Sequence, residues 1–350
     1  MAPPETIRAA LGSAGTSELV FIAQQCLEAG AWDHALALCD ASAERDDPGV
    51  RLCRAVALFV GGETEAATRE VDAVLEAHPE RLAARAVKAQ ILARSGDRAG
   101  AIAALRSLVD RYPDYPGAMG LLSTLLLPGP HYREVVREIH EKLRPRTYLE
   151  IGVESGATLT LARHADLAIG VDPAQNPMRH PLPPGTQLFH EESDTFFAKH
   201  PRASLLGARR VDLAFIDGMH RFENALRDFI NAESWAHAGG TILLHDCLPI
   251  HPRPATRERS SKFWVGDTWK VVLALAHARP ELRIRTLLCP PSGLVVVRRL
   301  NPGSTTLGER FDELCARFAE HEWEHEPGQF PAEFAAIAND ARGFNEALGA

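Results

Sequence analysis

The chain has few features that would mark a nucleic-acid-binding, membrane or disulfide-rich protein. Its 350 residues carry a formal net charge of −8 without a dense lysine and arginine cluster, although phosphate binding needs a basic face. No apolar run approaches the roughly eighteen residues of a membrane span, and the N-terminal Met-Ala-Pro-Pro-Glu-Thr lacks the pattern of a secretory signal. Six scattered cysteines form no CxxC pair. We therefore expect a cytoplasmic protein with no nucleic-acid or membrane partner.

An internal repeat occupies the first third of the chain. Its four recurring residues are Ala23, Gly30, Ala35 and Pro48, then Ala55, Gly62, Ala67 and Pro79, then Ala89, Gly96, Ala101 and Pro113. Small alanines let two antiparallel helices approach closely, while glycine ends the first helix and proline stops the second. The period resembles that of tetratricopeptide repeats, and three copies are about the minimum that buries a shared core. Residues 1–128 are predicted to form an all-α helical-repeat domain.

The pattern changes at Pro128-Gly-Pro130, and an amphipathic helix is predicted from His131 to Leu143. Strands then alternate with helical stretches, which is typical of a parallel sheet covered on both faces. The predicted strands are 147–151, 167–171, 187–190, 211–216, 241–245, 282–288 and 294–298. Only five residues separate the last two strands, which is too short for a parallel crossover, so they must form an antiparallel hairpin. Residues 302–350 are predicted to be a helical extension.

The first strand of this sheet runs into a turn that bears two glycines, Glu150-Ile-Gly152-Val-Glu154-Ser155-Gly156. Asp172 closes the second strand about twenty residues after the first glycine. Glycines let a backbone approach a nucleoside ligand, and a carboxylate at this spacing accepts hydrogen bonds from ribose hydroxyls. The pattern therefore predicts a nucleoside-binding α/β domain.

Polar residues also follow the next two strands of the sheet. Asp217 and His220 come after the strand 211–216, and His245-Asp246 ends the strand 241–245. Because open α/β sheets bind ligands at the carboxyl ends of their strands, we expect these four side chains to meet in one crevice. A histidine there can remove a proton from an alcohol, and a divalent cation can stabilise the resulting alkoxide.

With these motifs in this order, residues 131–301 resemble a class I S-adenosylmethionine-dependent methyltransferase, most closely the group that methylates hydroxyls of sugars and other natural products. The resemblance implies a Rossmann-like methyltransferase sheet with an antiparallel terminal hairpin, preceded here by the helical-repeat domain. It implies that S-adenosylmethionine is held by the following residues: Glu150, Gly152, Glu154, Ser155, Gly156, Asp172, Ser193, Asp194 and Asp217. Glu150 would meet the cofactor's ammonium group directly or through water. Ser193 or Asp194 would lie beside the adenine, while a helix-capping role for Asp194 stays open.

The resemblance further implies that His220 is the catalytic base, beside Asp217. Related enzymes hold magnesium with an acid at the first position and an acidic pair at the second, which corresponds here to Asp217 and to His245 with Asp246. Because imidazole is a softer ligand than carboxylate, manganese, iron or zinc would suit His245 better than magnesium. Metal dependence therefore stays open.

The acceptor is expected to be a small molecule, either glycosylated or held by a carrier. A long segment, 249–270, carries five lysines and arginines and two tryptophans and is expected to act as a lid or substrate clamp. The repeats would bind a protein partner or a second copy of the chain. Three other functions are weighed: a non-catalytic scaffold, an N-methyltransferase, and an NAD-dependent oxidoreductase. The terminal hairpin and the missing third glycine argue against the oxidoreductase.

Overall fold

The computed structural model describes residues 16–325 and 328–349, and it divides the chain into two compact units between Leu125 and Leu126. Residues 1–15 of the predicted repeat domain lie outside the described residues. The N-terminal segment considered above as a possible secretory signal is among them. None of the described helices combines the length and the apolar character that a bilayer crossing needs.

The first unit is built from helical hairpins. Its helices are α1 (Thr16–Glu28), α2 (Trp32–Ala41), α3 (Pro48–Val60), α4 (Thr64–Ala77), α5 (Leu82–Arg94) and α6 (Arg98–Arg111), and α7 (Ala118–Leu126) follows. The six alanines of the repeat are completely buried, as close helix packing requires. The three repeat glycines, Gly30, Gly62 and Gly96, have φ values of 76°, 93° and 88° in the turn of each hairpin. Glycine adopts this left-handed conformation without strain, which explains its recurrence.

The second unit is a sheet with helices around it. Its helices are α8 (Tyr132–Leu143), α9 (Ser193–Lys199), α10 (Arg202–Leu206), α11 (Phe222–Trp235), α12 (Lys270–Ala278), α13 (Thr306–Glu309), α14 (Phe311–Phe318) and α15 (Ala341–Leu348). Its strands are β1 (Thr147–Ile151), β2 (Leu167–Val171), β3 (Thr186–Phe189), β4 (Val211–Ile216), β5 (Ala236–His245), β6 (Arg283–Leu287), β7 (Leu294–Arg298) and β8 (Ala336–Ile337). The strands form one sheet in the order β3-β2-β1-β4-β5-β7-β6-β8.

The strand directions confirm the predicted fold class. Strands β1 to β5 pair in parallel, whereas β7 is antiparallel to both β5 and β6. All five residues of β1 and of β2 are buried, as expected for strands covered on both faces. Helix α8 packs Val135, Val136 and Ile139 into the core that contains Tyr148 and Phe215. This arrangement brings the carboxyl ends of β1, β4 and β5 side by side.

Two connections differ from the predicted alternation of strands and helices. Between β1 and β2 the chain makes only a single 3₁₀ turn, Leu159–Leu161, and between β2 and β3 it forms no helix. The second difference has a clear cause in the sequence, since prolines break a helix. Five prolines occur between these strands, at positions 173, 177, 181, 183 and 184.

The region predicted as a helical extension is only partly helical. In addition to three helices it contributes β8, which pairs in parallel with β6 through Thr286↔Ala336 and Leu287↔Ile337. A strand of two residues is too short to leave a recognisable alternation in the sequence. Positions 326, 327 and 350 of this region lie outside the described residues.

Candidate active site

A cavity of about 810 Å³ opens where the parallel strands end. Its lining combines the glycine turn after β1 with residues that follow β2, β4 and β5. The lining residues that the sequence singles out are Gly152, Glu154, Asp172, Ser193, Asp194, Asp217, His220, His245 and Asp246. Most of the predicted cofactor and catalytic residues are therefore brought together around one space.

The turn after β1 is shaped by residues with positive φ. Gly152 has φ 85°, and a Cβ atom at this position would lie 1.9 Å from the carbonyl oxygen of Asp217. Only glycine thus allows β1 and β4 to approach each other so closely at their ends. Asp172 accepts hydrogen bonds from the backbone N–H groups of Val153, Glu154 and Ala174, at 2.8, 2.7 and 2.8 Å. A carboxylate offers about four lone-pair positions, so these three bonds leave Asp172, which lines the cavity, with one acceptor position.

Three of the predicted cofactor residues do not line the cavity. The Glu150 side chain is completely buried and accepts hydrogen bonds from the hydroxyls of Tyr148 at 2.6 Å and Thr158 at 2.7 Å. Burial raises the pKa of Glu150 to about 8, although these hydroxyls act to lower it. Ser155 is buried, and a Cβ atom at Gly156 would lie 2.7 Å from Met178 Sδ. None of these three residues therefore belongs to the lining of the cavity.

Residues after β3, among them Ser193 and Asp194, also line the cavity. Helix α9 begins at Ser193, and the residue at its N-cap is Glu192 rather than Asp194. Arg227 Nε instead donates a bifurcated hydrogen bond to the two carboxylate oxygens of Asp194, each at 3.0 Å. The capping role considered for Asp194 is therefore wrong, because an ion pair with α11 holds this carboxylate.

The four polar residues after β4 and β5 form one cluster, as predicted. His220 Nε2 lies 3.5 Å from Asp217 Oδ1 and 3.2 Å from Asp246 Oδ2. His245 Nδ1 donates to Asp217 Oδ1 at 3.1 Å. Asp246 has φ 54°, a left-handed conformation that aspartate tolerates better than most residues, and it accepts a hydrogen bond from Ser292 Oγ.

The acids and histidines of this cluster stabilise each other's charged forms. Burial acts to raise the pKa of Asp217, but the adjacent His245 and His220 outweigh it and hold that pKa far below its ordinary value. Burial acts to lower the pKa of His220, yet the hydrogen bond to Asp217 and the charge of Asp246 raise it to about 9. The pKa of His245 is also raised, because Asp246 and Asp217 outweigh its burial. With only these groups present, His220 is protonated at neutral pH.

The donor set suits a divalent cation. Asp217, His220 and Asp246 each offer one ligand atom, and these three atoms lie within 4.8 Å of one another. Two carboxylate oxygens and one imidazole nitrogen match the ligand preferences of manganese, iron or zinc. The histidine in this group is His220, whereas the sequence analysis predicted His245 as the histidine ligand. The ligand role of His245 stays a prediction, and its Nε2 atom is buried without a hydrogen-bond partner.

Two further segments contribute walls, and the sequence analysis assigned only one of them, the predicted lid 249–270, to the site. Tyr132, the first residue of α8, packs its ring against His245 with centroids 3.9 Å apart. On the other side, the backbone carbonyl of Trp264 accepts a hydrogen bond from His220 Nδ1 at 3.2 Å. Trp264 belongs to the predicted lid, which therefore reaches the cluster. Trp269 is instead buried and packs against Trp323.

Comparison with family models gives one match in this unit. Residues 149–247 match the model of a family described as a methyltransferase domain, which covers less than a third of the chain. No curated protein matches the chain.

Solved structures show weaker likeness. A MamA double mutant ("MamA RS-1 ArsTM double mutant") is 27% identical over 31% of this chain, with a TM-score of 0.27, and the chain spans only 61% of that protein's length. Cofactor-bound Rv0187 from MTB is 15% identical, with 55% of this chain and 97% of that chain covered and a TM-score of 0.38. An O-methyltransferase from Bacillus cereus in complex with SAH is 12% identical, with coverages of 56% and 96% and a TM-score of 0.36.

Proposed function

We propose that this protein is an S-adenosylmethionine-dependent methyltransferase that methylates a hydroxyl of a sugar or another natural-product intermediate. One observation carries the proposal. The glycine turn with Asp172 and the His220–Asp217–Asp246 cluster line the same cavity, so a nucleoside donor and a proton acceptor have a common site. The methyltransferase-family match covers this part of the chain.

The cavity fits the proposed cofactor in size and in chemistry. Its volume of about 810 Å³ lies in the usual range of small-molecule sites, roughly 300 to 1,000 Å³. The acceptor position left on Asp172 suits a ribose hydroxyl, and Ser193 lies on the wall after β3. When bound, the cofactor supplies a methyl group that its sulfonium makes electrophilic, so the protein needs mainly to align the acceptor and exclude water.

In this proposal His220 takes the proton that the acceptor hydroxyl loses, after its own Nε2 proton has left. Because the pKa of His220 is raised to about 9, this neutral form is the minor one at neutral pH. Its Nδ1–H is held by the carbonyl of Trp264, which leaves Nε2 as the basic nitrogen of the neutral ring. As the acceptor oxygen gains the methyl group, the S–CH3 bond of the sulfonium would break and a neutral thioether would leave. The acceptor's O–H bond breaks at the same time, and its proton passes to Nε2. Asp217 and Asp246 lie beside Nε2 and stabilise the imidazolium that results.

A divalent cation would compete with this role of His220. Asp217, Asp246 and either histidine would hold the ion, which would stabilise an alkoxide as a Lewis acid. If His220 Nε2 is a ligand, it cannot also accept the proton. Treatment with EDTA, followed by addition of magnesium, manganese, iron or zinc one at a time, separates the two arrangements. Activity that is retained in EDTA supports His220 as the base. Activity that is lost in EDTA and restored by a metal supports His220 as a metal ligand.

Mass spectrometry tests the reaction itself. The full chain is incubated with methyl-labelled S-adenosylmethionine and a panel of hydroxylated sugars, natural-product intermediates and carrier-bound forms, with amine-bearing analogues alongside. We expect one labelled methyl group on an acceptor oxygen. Transfer to the amines alone would favour N-methylation, and no transfer together with no cofactor binding would favour a scaffold.

The partner role of the repeats and the cytoplasmic location remain predictions.

A further inference from the structure

A second cavity lies at the end of the sheet away from the proposed active site. Its volume is about 280 Å³, and its lining is rich in arginine. The lining residues are Ala238, Gly239, Arg283, Arg298, Arg299 and Gly349. Arg283 begins β6, and Arg298 ends β7, whereas His245 at the other end of β5 lines the active-site cavity. The small residues leave room between the guanidinium groups.

The positive charges around this cavity lack a matching acid. Arg283 and Arg298 are direct partners in the antiparallel register of β6 and β7, and like charges placed opposite each other destabilise a sheet. None of the six described lining residues is acidic. The nearby Glu346 does not compensate, because its carboxylate accepts a hydrogen bond from Arg285 at 2.8 Å. Arg283 Nη2 reaches only the backbone carbonyl of Glu346.

Three further observations show that the arrangement is costly as it stands. Arg283 Nε is buried without a hydrogen-bond partner among the described residues, and such an unsatisfied donor costs free energy. The pKa of Arg298 is lowered, first by burial and then by the charge of Arg283. Arg299 has φ 63°, a conformation that is uncommon for residues other than glycine, and this turn places it at the cavity.

We infer that the cavity between Arg283, Arg298 and Arg299 is a binding site for a phosphate group carried by a small molecule. Guanidinium groups bind tetrahedral oxyanions through pairs of charge-assisted N–H···O bonds, and three of them would surround such a group. The ligand would offset the repulsion between the paired arginines and satisfy the buried Nε of Arg283. This site is separate from the proposed methyl transfer and does not rest on it.

Calorimetric titration of the full chain with inorganic phosphate, in a chloride buffer free of other oxyanions, tests the inference. We expect saturable binding with one high-affinity site. The double variant Arg283→Gln/Arg298→Gln should weaken binding at least about 100-fold, because each lost charged hydrogen bond costs roughly a factor of ten or more. The matched control is Arg209→Gln, which removes an exposed arginine outside the cavity and should leave the affinity unchanged.

A single substitution at the exposed Arg299 tests the inference even if the double variant does not fold. Arg299→Gln should weaken phosphate binding about tenfold and leave the melting temperature without phosphate nearly unchanged. Absence of saturable phosphate binding would overturn the inference. That result is expected if a carboxylate of the chain itself already lies among the arginines. Phosphate binding of equal strength in the double variant would also overturn it, since the ion would then bind elsewhere.

Discussion

The two ends of the sheet differ in how their charged side chains are balanced. At the carboxyl ends of β4 and β5, acids and imidazoles alternate, and His220 and His245 lie 3.1 to 3.5 Å from Asp217 and Asp246. At the other end of the sheet, Arg283 faces Arg298 across two neighbouring strands with no acid among the described lining residues. The acid and histidine side chains therefore balance one another's charges, whereas the charges of the arginines are not balanced by the described lining residues.

A third group shows what full compensation looks like in this fold. Arg279 is 2% exposed and donates to both carboxylate oxygens of Glu233, at 2.9 and 3.1 Å. Asn301 N–H donates a further hydrogen bond to Glu233. Such a pair is complete without a ligand. The comparison indicates that the active-site cluster is organised before a substrate arrives, whereas the arginine cavity requires an anion for its balance.

The largest effect is expected at the compensated cluster. His220→Ala should lower turnover by about 10² to 10⁴, the usual contribution of a general base, while cofactor affinity stays near that of the wild type. Steady-state kinetics and calorimetry on the same preparation measure both quantities. His237→Ala is the control, since His237 pairs with Asp212 at 3.0 Å at the start of β5 and should leave turnover unchanged. Near-normal turnover in His220→Ala would remove His220 from the base role.

The next effect concerns the complete ion pair. Arg279→Met should destabilise the second unit by about 3 to 5 kcal/mol, because it leaves the buried Glu233 carboxylate without its cation. Urea unfolding, followed by a signal from the second unit, measures the free energy of unfolding. A loss below about 1 kcal/mol would show that this pair stabilises the fold no more than an exposed one does.

The pH dependence of stability tests the charges in the cluster. The pKa of His220 is raised to about 9 in the folded protein from an ordinary value of 6.5. Its contribution to stability should therefore be fully present below pH 6.5 and be lost as the pH rises to about 9, by up to about 3 kcal/mol. The free energy of unfolding of the wild type relative to His220→Gln, measured in EDTA, should decline over this interval. A constant difference would contradict the proposed coupling to Asp217 and Asp246.

The smallest effect is expected where charge is unbalanced. Arg298→Met, in phosphate-free buffer, should change the free energy of unfolding by less than about 1 kcal/mol or increase it, since it removes the repulsion from Arg283. The same urea experiment that is used for Arg279→Met provides the comparison. A loss as large as that of Arg279→Met would mean that Arg298 already has a stabilising partner, and the contrast between the two ends would fail.

Much of the fold could be predicted because the sheet obeys simple rules. Buried parallel strands are continuous apolar runs, and the six-residue link before β7 permits only a hairpin. The meeting of Asp217, His220, His245 and Asp246 followed from the rule that strand ends converge at one edge.

The orientation of individual side chains was harder to predict. Glu150 lies on a strand that is buried along its whole length, so its position in a motif could not tell whether it faces the cavity. The facing of Arg283 and Arg298 depends on the register of the hairpin, which the sequence pattern does not specify. The reach of Trp264 to His220 depends on the path of a long loop that has no periodic pattern.

Calorimetric titration with S-adenosylmethionine tests the central claim most directly, namely that one cavity binds the nucleoside donor beside the His220 cluster. The account predicts one saturable site per chain for S-adenosylmethionine, no heat change with NAD, and an affinity that His220→Ala preserves. Failure of S-adenosylmethionine to bind the wild-type protein, or saturable binding of NAD in its place, would contradict the account.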